Sequence, residues 1–78
     1  MATLRLFASA REAAGTGQAA IDGATVGDVL DAACVRYGEG FAAVLDKSRV
    51  WRNGEPVTRD DLVSDADEVA VLPPVSGG

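Results

Sequence analysis

The last ten residues, Val69–Gly78, read VAVLPPVSGG, and they decide how the rest of the chain is interpreted. The stretch begins as a strand and then meets Pro73 and Pro74, which end strand pairing because proline fixes φ and lacks a backbone donor. The six residues 73–78, if extended, reach at most about 20 Å. We therefore predict a thin C-terminal tail that a domain over residues 1–72 holds and presents.

The tip of this tail consists of Val75, Ser76, Gly77 and Gly78, and we expect a free carboxylate on the last residue. Two terminal glycines are weak evidence by themselves, because chain ends are usually disordered and glycine is common there. The combination is more specific: a strand that ends in two prolines, no charge after Glu68, and a small acidic body.

Length and composition exclude several classes of protein. The chain has 78 residues, one cysteine (Cys34) and no histidine, so we expect one domain without an intrachain disulfide or a zinc site. A Cys-His or Ser-His nucleophile pair is excluded for the same reason. No apolar run approaches the ~20 residues that cross a membrane, and no secretory signal is evident, so a cytoplasmic protein is expected.

The charge balance argues against a nucleic-acid partner. Twelve acidic residues stand against seven basic ones, for a net charge of −5, whereas nucleic acid selects basic surfaces. An acidic chain permits a basic protein partner, although such acidity often serves solubility alone.

Hydrophobic alternation predicts a first strand over residues 3–9. It places Leu4, Leu6 and Ala8 on the core side and points Phe7 outward beside Arg5. A second short strand is predicted over residues 18–21, before a turn.

Capping signals predict two helical segments. Ser9 is expected to cap a short turn with Glu12 as its capping-box partner, and Thr25 to cap the main helix with Asp28. One buried stripe follows Thr25 at helical spacing: Val26, Val29, Leu30, Ala33, Cys34 and Tyr37.

Sequence patterns in the second half of the chain predict a further helical turn and the remaining strands. A helical turn around Phe41 precedes a strand over residues 49–52, in which Trp51 is expected opposite the two arginines and mostly buried. Asn53-Gly54 predicts a hairpin. We expect the last strand, residues 68–72, to lie beside the first at the centre of an α+β sheet. That pairing would expose one apolar patch near the root of the tail: Phe7, Ala70 and Leu72.

Several stretches together resemble a known family. The strand order, the hairpin NGEPV, the stretch DADEVAVLPP and the end PPVSGG are similar to the small, sulfur-carrier subunit of molybdopterin synthase. That family belongs to the ubiquitin-like β-grasp carriers of the MoaD/ThiS type. The resemblance covers essentially the whole chain and implies a mixed sheet of four to five strands on one main helix. Ala66 departs from it, because the family's turn usually has glycine there.

The resemblance implies a function for the tail. An E1-like partner that uses ATP would adenylate the carboxylate of Gly78, and a sulfur donor would convert it to a thiocarboxylate. Gly77 would enter the partner's channel with it. The sulfur would pass to cyclic pyranopterin monophosphate in the large catalytic subunit, within a hetero-tetramer, and this chain would bind no cofactor or metal. Six further residues are expected to contact these partners: Phe7, Leu72, Pro73, Pro74, Val75 and Ser76.

Three alternatives remain open at this point. The same tail suits sulfur delivery to thiazole, cysteine or a tRNA base. It also suits ubiquitin-like conjugation, in which Gly78 forms an isopeptide bond with lysines. The third alternative is a binding module whose tail is incidental, which predicts that deleting Gly77 and Gly78 leaves function intact.

Overall fold

The fold, given by a computed structural model that describes residues 1–74, consists of five strands and three helices. In chain order the elements are β1 (Ala2–Leu6), α1 (Ala8–Ala14), β2 (Gln18–Ile21), α2 (Val26–Tyr37), α3 (Glu39–Asp46), β3 (Arg49–Arg52), β4 (Glu55–Pro56) and β5 (Glu68–Leu72).

The strands form one mixed sheet in the order β2-β1-β5-β3-β4. β1 and β5 run parallel at the centre, with Leu4 opposite Val69 and Leu6 opposite Val71. The outer pairs are antiparallel. The predicted pairing of the first and last strands is confirmed, so the C-terminal segment leaves the body from the middle of the sheet.

One face of the sheet and the helices enclose the core. The inward residues of both central strands are at most 2% exposed: Ala2, Leu4, Leu6, Val69 and Val71. The alternation predicted Leu4 and Leu6 there, but Ala8, which it also placed in the core, is exposed at the start of α1. The stripe of α2 supplies Val26, Val29, Leu30 and Ala33, while Cys34 and Tyr37 are half-buried at the margin of the core. With 12 residues, the longest described helix, α2, falls short of the about 20 that a bilayer requires.

The predicted capping box of α2 is confirmed. The Thr25 hydroxyl accepts the backbone N–H of Asp28 at 3.1 Å, and the Asp28 carboxylate accepts the backbone N–H of Thr25 at 3.3 Å. Reciprocal bonds of this kind satisfy backbone donors that the first turn leaves unpaired.

The start of α1 differs from the prediction. β1 ends at Leu6 rather than reaching residue 9, and the helix is capped by Phe7 without a side-chain bond, so Ser9 is not the cap and Glu12 not its partner. The Phe7 carbonyl accepts the N–H groups of Ala10 and Arg11 at 3.0 and 3.3 Å. The chain therefore turns from strand to helix immediately after its last core residue.

The region of α3 and β3 also differs. The turn predicted around Phe41 is a full helix of eight residues, and Phe41 itself is completely buried. In β3 the prediction for Trp51 is wrong in orientation: it lies on the outer face with Arg49 and is partly exposed, while Val50 packs against the core. Residues two apart in a strand share a face, so Arg49 and Trp51 cannot lie on opposite sides.

Candidate functional site

The site begins where β5 ends. Leu72 and Pro73 are half-buried and Pro74 is exposed, so the chain comes to the surface at this point. The two prolines follow the strand directly, which agrees with their expected role in ending the ladder. Four predicted site residues lie outside the described part of the chain: Val75, Ser76, Gly77 and Gly78.

Apolar side chains on the outer face of the sheet surround this exit. Leu6 pairs with Val71 in the core. Phe7 follows Leu6 with an extended backbone, and Leu72 follows Val71, so both lie at the same end of the sheet. Phe7 is 40% exposed, one of the few large apolar side chains at the surface of residues 1–74. We call Phe7, Ala70 and Leu72 the tail-root patch; Phe7 is exposed as predicted, while Ala70 and Leu72 are half-buried.

β3 extends the patch across the sheet, which the sequence interpretation missed. Trp51 lies opposite Ala70, and Arg49 lies opposite Leu72. The missed signal was the period of two: once Val50 is assigned to the core, both of its neighbours must face outward. The aromatic ring of Trp51 thus adds to the tail-root patch on the side away from Phe7.

Helices α1 and α3 form a shallow concavity at the same exit, of about 190 Å³. Its lining combines small, apolar and basic side chains with the first exposed residue of the tail: Ser9, Ala43, Val44, Lys47 and Pro74. Lys47 is the residue that caps the C-terminus of α3, and it is exposed. A basic side chain therefore stands beside the tail root.

The body offers little chemistry of its own. Burial raises the pKa of the Cys34 thiol, so this thiol stays protonated near neutral pH and is a poor nucleophile. Within residues 1–74 no group of three or more His, Cys, Asp or Glu side chains is placed to hold a metal ion. Within the described residues, the tail exit is thus distinguished by its surface rather than by a reactive side chain.

Two larger depressions, of about 420 and 370 Å³, lie between the helices and β3. They share Leu30, Ser48, Val50 and Arg59, and the second also includes Cys34. The Arg59 guanidinium is bound to the Asp31 carboxylate at 2.6 Å, so its charge is already paired. The first depression also includes Arg49 and Trp51, so it reaches β3 beside the tail-root patch.

The opposite end of the sheet is closed by polar contacts. The Asn53 side-chain amide donates to the Asp67 carboxylate at 2.8 Å, and its carbonyl oxygen accepts the N–H of Glu68 at 2.9 Å. The bond from Asn53, with a second from the N–H of Ser64, holds the pKa of Asp67 below its usual value of 3.8.

Comparison with known proteins places the chain in a family. The ThiS family matches residues 4–78. Small archaeal modifier protein 1 of Haloferax volcanii is 39% identical over 84 aligned residues, which cover 95% of this chain and 97% of the relative. The crystal structure of that archaeal protein superposes with a TM-score of 0.82, covering 99% of this chain and 98% of the other.

Two further structures bear on function and partners. A putative molybdopterin converting factor, subunit 1, from Pyrococcus furiosus is 29% identical, with a TM-score of 0.82 and coverage of 95% of this chain and 97% of that one. A chain in the crystal structure of the Amycolatopsis orientalis BexX/CysO complex shares the fold at 24% identity, with a TM-score of 0.82 and full coverage of both chains. A protein of this fold thus occurs bound to a second protein.

The expected fold is confirmed by these superpositions, and the family match extends over all but the first three residues of the sequence. The chain belongs to the ThiS family and has the ubiquitin-like β-grasp fold of its sulfur carriers.

Proposed function

We propose that this protein is the sulfur carrier of a molybdopterin synthase, with sulfur carried as a thiocarboxylate on Gly78. The supporting observation is the sequence PPVSGG, which continues directly from the central strand β5 beside the tail-root patch. The likeness to a putative molybdopterin converting factor subunit supports the same pathway.

The reaction begins with a carboxylate, which is a poor acyl donor because its oxygen is a poor leaving group. The Gly78 carboxylate attacks the α-phosphate of ATP, pyrophosphate leaves, and an acyl adenylate forms. A donor at the oxidation level of sulfide then attacks the carbonyl carbon, AMP leaves with the C–O electron pair, and a thiocarboxylate remains. The sulfur then bonds to a carbon of the pterin precursor, and water hydrolyses the acyl–sulfur bond, which leaves the sulfur on the pterin and regenerates the carboxylate. Gly78 is therefore a substrate group that is consumed and restored.

The residues of the tail suit this chemistry. Gly77 and Gly78 have no Cβ, so their backbone can pass through a narrow channel and approach a nucleotide closely. Pro73 and Pro74 restrict φ at the tail root, which reduces the entropy lost when the tail is ordered in a partner. All acid, base and nucleotide-binding groups are then supplied by the partners.

Two partners are required in this proposal: an E1-like adenylating enzyme, and the large catalytic subunit, with two carriers on a dimer of the latter. The tail-root patch supplies the docking surface for them. Phe7 is the expected anchor, because exposed aromatic residues beside a buried core dominate many interfaces. Leu72 contributes next to it, and Pro73 to Ser76 follow into the partner.

Reconstitution tests this proposal. The carrier, its adenylating enzyme, ATP, a sulfur donor, the large subunit and cyclic pyranopterin monophosphate are combined, and molybdopterin is measured by its fluorescent oxidation product. We expect product only when every component is present, with one sulfur lost from the carrier for each sulfur that enters the pterin. A thiocarboxylated carrier that yields no product with an active large subunit would contradict the molybdopterin assignment.

A second candidate function is protein modification, which the 39% identity to small archaeal modifier protein 1 favours. In that case the activated Gly78 carbonyl is attacked by a lysine amine of a target protein, and an isopeptide bond forms. Denaturing gels of cells that express a tagged carrier distinguish the two functions. Adducts that depend on Gly78 and survive thiol reductants indicate modification, and their absence beside active molybdopterin synthesis indicates sulfur transfer.

A further inference from the structure

The charges of this acidic protein are unevenly distributed along the strands. Acidic residues gather where β1 and β5 begin, at the end opposite the tail. Asp22 follows Ile21, the partner of Ala2, and the Asp65 carboxylate binds the Met1 ammonium at 2.7 Å. The Asp67 carbonyl accepts the N–H of Thr3 at 3.1 Å, and Glu68 follows it in β5.

The tail end carries basic groups instead. Lys47 lines the concavity with Pro74, and Arg49 lies opposite Leu72 in the sheet. The third basic residue, Arg11, lies on α1, and its side chain is close to Gly17. A Cβ placed on Gly17 would be only 3.5 Å from the Arg11 Nε. The Gly17 carbonyl in turn accepts the N–H of Leu6 at 2.9 Å, at the end of β1.

These three basic side chains are available to a partner. All three are exposed, and across residues 1–74 the ion pairs within 4.0 Å involve Met1, Arg5 and Arg59, none of the three. The acids on the same elements are Glu12 on α1 and both Glu39 and Asp46 on α3. Glu39 lies in the first turn of α3, at the end opposite Lys47. Asp46 lines the depression that includes Leu30 and Cys34, on the side of α2 rather than at the tail root. The tail exit is thus locally basic.

Screening decides which charges a partner at the tail exit encounters. The five residues of β5 span roughly 13 to 16 Å at the usual rise of about 3.3 Å per residue. At physiological ionic strength the Debye length is about 8 Å, so the acids at the far end are largely screened at the tail exit, while Lys47, Arg49 and Arg11 act at close range.

We propose that the adenylating enzyme receives the tail through a surface that is apolar at its centre and acidic at its rim, with carboxylates opposite Lys47, Arg49 and Arg11. The net charge of −5 would by itself indicate a basic partner, whereas the basic side chains at the tail exit indicate an acidic one. This proposal rests on the proposed function in one respect: both require an adenylating enzyme that binds the tail. Apolar contact with the tail-root patch provides the area, and the charges set orientation and association rate.

The test compares carriers in which a basic residue at the tail exit or elsewhere is replaced by glutamate, so that each substitution changes the charge by the same amount. Lys47→Glu/Arg49→Glu alters the tail exit, and Arg36→Glu is the single-site control, because Arg36 is exposed on α2, which does not line the tail-root concavity. Lys47→Glu and Arg49→Glu are also measured singly. Melting temperatures establish that every variant is folded, and stopped-flow association with the adenylating enzyme is recorded at low and high salt.

We expect the double variant to associate roughly tenfold more slowly at low salt, with a smaller difference at high salt, and the Arg36→Glu variant to behave like the unaltered protein. Faster association of the double variant, or an equal loss in the Arg36→Glu variant, would overturn the inference. The mass of the unaltered carrier after reaction reports the sulfur function separately. Charge-dependent binding without a thiocarboxylate would overturn that function alone, and a thiocarboxylate formed without charge dependence would overturn this inference alone.

Discussion

The two ends of the sheet are built in different ways. Where β1 and β5 begin, polar groups are bonded to each other: Asn53 to Asp67 at 2.8 Å, and the Met1 ammonium to Asp65 at 2.7 Å. Where β5 ends, Phe7 of the tail-root patch is exposed, and the basic side chain of Lys47 lies beside the exit. The first end is closed by contacts within the chain, and the second leaves its groups available to another molecule.

We infer that stability and partner binding depend on opposite ends of the strands. Groups that bond to each other contribute to folding, while an exposed aromatic side chain beside a chain exit contributes little to folding and much to binding. Substitutions at the two ends should therefore change different measurements.

Removing Gly78 should abolish sulfur transfer, because the group that is adenylated is lost. The melting temperature should not change, since the buried core residues among positions 1–74 all lie between Ala2 and Val71. Molybdopterin formation and thermal unfolding of the same preparation check the two statements. A large drop in melting temperature would show that the tail is part of the folded body and would break the comparison.

Phe7→Glu should weaken binding of the adenylating enzyme roughly 30-fold or more, since loss of an aromatic anchor removes about 2 kcal/mol of binding free energy. Val35→Glu is the matched control, because Val35 is 88% exposed on α2 and away from the tail exit. Titration calorimetry measures both affinities. A Phe7→Glu variant that is folded and binds normally would remove the tail-root patch from the interface.

Thr25→Ala should destabilise the fold by about 1 kcal/mol, because it removes the capping-box bond in which the Thr25 hydroxyl accepts the backbone N–H of Asp28. In a domain of this size that loss lowers the melting temperature by about 4–8 °C. Thr58→Ala serves as the control, since the bond at Thr58 uses its backbone N–H rather than its hydroxyl. Partner affinity should remain that of the unaltered protein, and a lower affinity would show that the two ends are coupled.

The smallest effect concerns acid stability. The pKa of Asp67 is lower in the folded protein than its usual 3.8, so its contribution to stability is complete above that value. The contribution is lost as the pH falls through the folded pKa, because the unfolded chain then binds the proton more readily. When the pH is lowered from neutral to strongly acidic, the melting temperature of the Asp67→Ala variant should therefore fall by less than that of the unaltered protein. Asn53→Ala should do the same, because Asn53 supplies the main bond, and unchanged acid sensitivity in both variants would contradict this explanation.

Much of the fold could be predicted because its signals are local and periodic. Alternation in the first and last strands identified Leu4, Leu6 and the outward Phe7, and the capping box at Thr25 identified the main helix. The Pro73 break located the end of the last strand. In each case a single physical rule acts within a few residues and needs no knowledge of the rest of the chain.

Other features depend on packing and could not be obtained in that way. Ser9 has a side chain that can cap a helix, but the position of the cap depends on where the strand ends. Leu6 is the last core residue of β1, and the helix begins directly after it with Phe7 as the cap. The basic tail exit brings together Arg11, Lys47 and Arg49 from three separate elements, a grouping that appears only once the sheet and helices are assembled.

The most direct test of the central claim is the intact mass of the carrier after incubation with its adenylating enzyme, ATP and a sulfur donor. The account predicts a mass gain equal to the exchange of one oxygen for sulfur, located on Gly78 by fragmentation and absent without ATP. An unchanged mass with an enzyme shown to be active, or a gain located anywhere in the body, would contradict the assignment of this chain as a sulfur carrier.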